Sequence, residues 1–255
     1  MTLVIPLGTL LAFLLVLARV SALLAFLPLA GFRNAPPQIR IILALVLSFA
    51  LFPAWPHPEN QELSMGALLA SIFAEAGFGL SIGISVSLLN EAFQLAMQVL
   101  GLQAGYGYAS TIDPTSQADS GILQVLAALM SGLLFLSLGL DRQLLRILAA
   151  SFNRFPAGEW APAAASLDGI VRLGSGMFSL GLRLAFPVVA FLMLIDLALA
   201  LLGRMQQQLQ LLTLAFSVKM LAAVACLIVL LPAFTRLYED FAAKMVESLW
   251  LTVSR

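Results

Sequence analysis

The sequence predicts an all-α, polytopic membrane protein of about six apolar helical segments. Composition is the first observation behind that reading: of 255 residues, 61% are hydrophobic and 10% are charged. A soluble domain carries roughly 45–50% apolar and about 25% charged residues. A chain of this size has too little polar surface to wet a globule. The second observation is run length. Stretches such as residues 63–89 and 181–202 are continuously apolar, whereas a transmembrane barrel alternates over segments of about ten residues. The third is the solvent itself: in lipid the backbone must satisfy its own hydrogen bonds, and long apolar runs do so as helices.

The same composition excludes several functions. Thirteen basic and thirteen acidic residues give zero net charge, so no basic face is available for nucleic acid. Cys226 stands alone inside an apolar run and reads as a small buried hydrophobe, with no disulfide or CxxC chemistry open to it. His57, the single histidine, sits between prolines in Pro53-Ala-Trp-Pro-His-Pro58 and lacks the positioned partner that acid–base work needs. Neither a metal nor a cofactor is expected, and no HExxH-type cluster supports an enzyme.

In chain order, the first apolar run covers residues 3–29. It lacks a basic leader and reads as a retained membrane helix. The second, 39–52, is short against the roughly 20 residues of a span and needs tilt, an interfacial position or shielding by a partner. Arg33 and Arg40 flank the intervening turn and place it on the cytoplasmic side by the positive-inside rule. A third run, 64–102, exceeds one crossing and is expected to break at Asn90-Glu91. The fourth, 121–152, breaks at Leu140-Asp-Arg142, and a loop of Pro, Gly and Ala follows through residue 165. The fifth covers 170–202. The sixth covers 209–231 and is expected to end at Pro232, leaving an amphipathic tail over 234–253.

Two sets of residues stand out within this layout. Gly79-Leu-Ser-Ile-Gly83 and Gly101-Leu-Gln-Ala-Gly105 are GxxxG patterns, which allow close helix approach and also arise by chance in a glycine-rich apolar chain. Arg19, Glu75, Glu91, Asp196 and Lys219 lie within apolar runs. Ionisable groups there face protein or water rather than lipid, as structural ion pairs, a polar conduit or a partner contact.

Certain residues also carry a family resemblance. They are Arg19 and Pro28, Glu75 leading to Gly79 and Gly83, then Gly101-Leu-Gln-Ala-Gly105-Tyr-Gly-Tyr-Ala-Ser-Thr-Ile-Asp113-Pro114. Phe135-Leu-Ser-Leu-Gly139, Ser151-Phe152, Pro156 and Gly158 follow, and late in the chain Arg204, Gln208, Phe216 and Lys219. Over nearly its whole length the chain resembles the FliR family of flagellar biosynthesis proteins, whose injectisome relatives share the fold. Gln207, Gln210, Ala215 and Ser217 depart from the family, which has Pro, Asn, Gly and Pro there.

The resemblance implies a role rather than a reaction: a non-enzymatic subunit of the type III protein-export gate in the bacterial inner membrane, within the flagellar basal body. It implies bent helical hairpins packed into a hetero-oligomer with FliP-like and FliQ-like subunits. FlhB-like and FlhA-like export components are further neighbours, unfolded export substrates are the cargo, and lipid surrounds the assembly. Residues 1–160 would form a FliP-like part and 161–255 a FliQ-like hairpin with its tail. The segment from Tyr106 through Tyr108, Ile112, Asp113 and Pro114 would enter the pore as a plug; read without the family, it is equally a solvated turn, since Pro114 disfavours helix at Asp113. Arg204 and Lys219 would lie at the bend of the C-terminal hairpin. The competing reading is a secondary transporter, but no inverted repeat or matched pair of ionisable clusters supports it.

Overall fold

A computed structural model of the chain describes residues 6–27, 36–52, 55, 64–106, 121–156, 160, 164–205 and 211–254. Seven α-helices account for nearly all of these residues: α1 (Leu7–Leu24), α2 (Pro37–Ala50), α3 (Met65–Ala104), α4 (Ile122–Ser137), α5 (Leu140–Arg154), α6 (Ala164–Met205) and α7 (Leu211–Ser254). No strand occurs among the described residues. Three helical stretches are long and apolar enough to cross a membrane: Met65–Ala104, Asp168–Met205 and Ala215–Val253. The α4–α5 pair, bent by 63°, can supply a fourth crossing. The chain is a polytopic all-α membrane protein.

Local chemistry sets the helix ends. Pro36 and Pro37 open α2, where a missing N–H costs nothing. Trp55 Nε1 then donates to the Ser48 carbonyl (2.8 Å), and its ring packs against Phe13 of α1 and Phe49 of α2, with centroids 5.4 and 6.3 Å away. Packing against α1 supports this short helix, which leaves Ile39, Ile41 and Ile42 exposed in its first turns. At the far end of α3, Gly105 adopts φ +87°. Its N–H bonds to the Leu102 carbonyl (3.2 Å), and the Tyr106 N–H reaches back to Gly101 (2.9 Å). This is a Schellman stop, for which glycine is the favoured residue. Between α4 and α5 the left-handed Gly139 (φ +65°) makes the bend. Asp141 in the first turn of α5 and Arg154 in the last both suit the helix dipole.

Two expected breaks are absent. The 40-residue α3 is one unbroken helix that continues through Asn90-Glu91. The reason is that polar side chains do not interrupt a helical backbone. Asn90 accepts a short hydrogen bond from the Ser131 hydroxyl of α4, and Glu91 points outward, so it is exposed rather than buried. Likewise α7 continues through Pro232, joining the sixth run and the amphipathic tail into one helix of 44 residues. Helix α6 passes Pro187 in the same way. Both prolines face outward, and apolar helices tolerate proline because the surrounding medium penalises any further loss of backbone hydrogen bonds. The break expected near Leu140 is present, three residues earlier in the sequence than the charged pair it was read from.

The chain forms two compact units that interleave in sequence. One comprises Met1–Leu88, Phe135–Gly174 and Ala242–Arg255; the other comprises Leu89–Leu134 and Ser175–Phe241. These units cut the chain differently from a division at residue 160. That division concerns kinship to two kinds of subunit rather than compactness.

Candidate functional site

The first unit is built around one buried cation. Arg19, on α1, is fully buried, as is Glu75 on α3. The guanidinium meets the carboxylate in a bidentate pair, Nε to Oε2 and Nη2 to Oε1, the second at 3.0 Å. Its remaining donors reach α5 and the turn beyond: Nη1 donates to Ser151 Oγ (2.8 Å) and Nη2 to the Phe155 carbonyl (3.1 Å). The rings of Phe78 and Phe152 lie 4.6 and 4.3 Å from the guanidinium carbon. The planar five-donor fork of arginine suits this arrangement, in which two carboxylate oxygens, a hydroxyl and a carbonyl are served and two rings are stacked. Lysine could not reproduce it.

Close helix approach puts those groups within reach. A Cβ built on Gly79 would collide with the Arg19 carbonyl and approach Ala22 Cβ to 3.1 Å. One on Gly83 would lie 3.0 Å from the Leu23 carbonyl oxygen and 3.1 Å from Phe26 Cβ. The stripe Gly79–Gly83 is therefore the face of α3 that meets α1. Gly77 forms a notch beside it, where Trp160 sits 2.9 Å from the position of a missing Cβ. Trp160 and Phe155 both pack on Phe78, with centroids 5.7 and 5.5 Å away.

The second unit contains a polar cluster linking three helices. Lys219 of α7 contacts both oxygens of Asp196 on α6, at 2.9 and 3.0 Å, and Gln103 of α3 donates to Asp196 Oδ2 at 3.1 Å. One turn on, the ring of Phe216 covers Gly105, at 2.6 Å from a built Cβ, and the Tyr106 hydroxyl donates to the Met220 carbonyl (3.4 Å). The two glycines of the second GxxxG thus differ. Gly105 is a helix stop beneath an aromatic ring, whereas a Cβ on Gly101 would only touch Leu123 Cδ1 at 3.9 Å. Arg204 is exposed in the last turn of α6, where a cation suits the helix dipole. Tyr108, Ile112, Asp113 and Pro114, together with Gln207 and Gln210, lie outside the described residues.

A third network had no signature in the sequence. Tyr238 is fully buried and donates to the Ser131 carbonyl (3.0 Å), while the Ser131 hydroxyl serves Asn90. Phe93 packs on both Phe234 and Tyr238. The only hint was helical spacing in the tail: Phe234, Tyr238 and Phe241 fall at i, i+4 and i+7. Chemically, all three networks brace helices, and none aligns a nucleophile with a base.

Residues 10–245 match the family described as bacterial export proteins, family 1. The chain belongs to this family. Its relatives include the flagellar biosynthetic protein FliR of Escherichia coli (strain K12), 27% identical over 91% of this chain and 89% of that protein. FliR of Bacillus subtilis (strain 168) is 29% identical, over 93% of each chain. FliR of Caulobacter vibrioides is 24% identical over 91% of this chain and 93% of its own length. As an export protein of family 1, the chain spans 89–93% of the length of these three relatives.

Proposed function

We propose that this family 1 export protein is one subunit of a flagellar type III export gate, and that its helices form part of the wall through which unfolded substrates cross the inner membrane. The observation that carries the reading is the match over residues 10–245 together with FliR relatives from two bacteria, matched over 89% and 93% of their own length. Its partners within the gate are FliP-like and FliQ-like subunits, with FlhB-like and FlhA-like components beside them. Residues 1–160 act as the FliP-like part, and 161–255 as the FliQ-like hairpin. Gly79 and Gly83 hold α1 against α3, Arg19 and Glu75 lock that contact, and Asp196 and Lys219 tie the α6–α7 hairpin together. The segment beginning at Tyr106 and containing Tyr108, Ile112, Asp113 and Pro114 acts as the plug of the closed pore. No observation favours a secondary transporter.

The experiment is a deletion in the host. Loss of the chain should abolish motility and secretion of flagellar substrates, with both restored by a plasmid copy. The tagged copy should bring FliP-like and FliQ-like subunits through detergent purification. Undiminished secretion in the deletion strain would overturn the proposal.

A further inference from the structure

One face of α3 changes chemistry along its length. At 100° per residue, Glu91, Gln94 and Gln98 project within about 60° of one another, as a single stripe. Glu91 and Gln98 are exposed and Gln94 is half-buried. The opposite face, with Ala92, Phe93, Ala96, Met97 and Leu100, is buried. Toward the N-terminus the stripe continues as Leu69, Phe73 and Leu80, all exposed and apolar, and toward the C-terminus it reaches exposed Leu102. Three polar groups therefore occupy successive turns of a face whose exposed positions on either side are apolar, while Ser87 between them and Leu80 is half-buried and donates to the Ile84 carbonyl. Among the described residues none of the three has a polar partner.

The rest of the second unit sets the contrast. There α6 turns Phe186, Phe191 and Leu197 outward, and α7 turns Leu221, Ile228 and Val229 outward. Those faces suit hydrocarbon or an apolar partner helix. A carboxylate and two amides aligned on one face do not, because a polar group facing hydrocarbon loses its hydrogen bonds with nothing in return. We infer that the Glu91–Gln94–Gln98 stripe of α3 is a water-lined strip of the export conduit, along which the backbone of a passing unfolded chain exchanges hydrogen bonds with amide side chains. This rests on the proposed role as part of the gate wall. Amides suit the task chemically: each offers a donor and an acceptor to any peptide group, without sequence preference. The single carboxylate adds a negative wall charge that favours cations.

The test uses the assembled gate, with Cys226→Ala removing the one native thiol. Single cysteines are placed at Glu91, Gln94 and Gln98, and, as outward apolar controls, at Phe191 and Ile228. Each gate is exposed to a charged, membrane-impermeant methanethiosulfonate reagent. The three stripe positions should react on the order of tenfold faster than the controls, or more, because the reactive thiolate forms in water and is suppressed in apolar surroundings. Stripe cysteines as protected as the controls, in a complex that assembles and exports, would overturn the inference and leave the gate role standing. If the Cys226→Ala chain neither joins FliP-like and FliQ-like subunits nor supports export, and the wild-type chain also does neither, the gate role itself fails. Independently, Glu91→Lys should lower the preference of the conducting gate for cations over anions, with Glu91→Gln intermediate. An unchanged preference in an intact gate would also overturn the inference.

Discussion

At the scale of single residues, Arg19 shows why a charge can sit inside an apolar chain. Burying a guanidinium is expensive, and Glu75, Ser151 and the Phe155 carbonyl satisfy its donors. Removing one partner leaves a buried charge exposed to nothing, a loss of about 3–5 kcal/mol. Replacing the pair together with apolar residues of similar size is far less costly. We therefore expect Arg19→Ala and Glu75→Ala each to lower the thermal midpoint and yield of the purified complex sharply, and Arg19→Met with Glu75→Leu to recover much of the loss. A double variant as damaged as either single variant would show that the pair does more than brace. Glycines give a second contrast. Gly79→Ala forces a methyl group into the Arg19 carbonyl, while Gly101→Ala finds open van der Waals space. Complex yield should fall for Gly79→Ala and hold for Gly101→Ala; equal yields would remove the close α1–α3 approach from the account. These two patterns look alike in sequence, since GxxxG records spacing and not what lies opposite. The buried state of Arg19 was legible because an arginine in an apolar run has few other options. Its partners Ser151 and Phe155 were not, being distant in sequence and ordinary in type.

At the scale of elements, the helices were legible as apolar runs, and their stops were legible wherever glycine or proline acted through the backbone. Gly139 and Gly105 ended helices; Asn90-Glu91 did not, because a side chain pointing outward leaves the backbone intact. Pro232 misled for the opposite reason. In water a mid-helix proline costs about 3 kcal/mol or more, but an apolar medium penalises breaking the remaining backbone hydrogen bonds, and α7 runs past the outward-facing Pro232. The Asp196–Lys219–Gln103 cluster ties α3, α6 and α7 at one level, so its members act as a unit. Lys219→Ala and Asp196→Ala should each reduce export. The double variant should add little further loss, as is usual for contacting residues. Full additivity in a secretion assay would separate the two residues. The segment that leaves α3 after Tyr106 belongs at this scale too. Deleting residues 109–118 should raise ion conductance through an intact gate. Conductance equal to that of the wild type would reduce the segment to a connection.

At the scale of the whole molecule, the outward surface decides the account. Large apolar side chains such as Phe73, Phe178, Phe186, Leu194 and Leu201 are exposed, and so are Glu91 and Gln98 of the α3 stripe. No single solvent suits both kinds of surface. Composition alone was enough to read membrane residence, and the order of motifs was enough to read the family. Which helix faces meet lipid, water or protein was not legible, because that depends on neighbours the sequence does not contain. A chain with both kinds of surface is completed by other subunits of the export apparatus. The most direct measurement is the mass and dispersity of the chain purified in mild detergent, alone and co-expressed with FliP-like and FliQ-like subunits. The chain alone should aggregate or degrade, and with partners it should form a single, larger, monodisperse complex. A monodisperse, well-folded monomer that takes up no partner when co-expressed would contradict this.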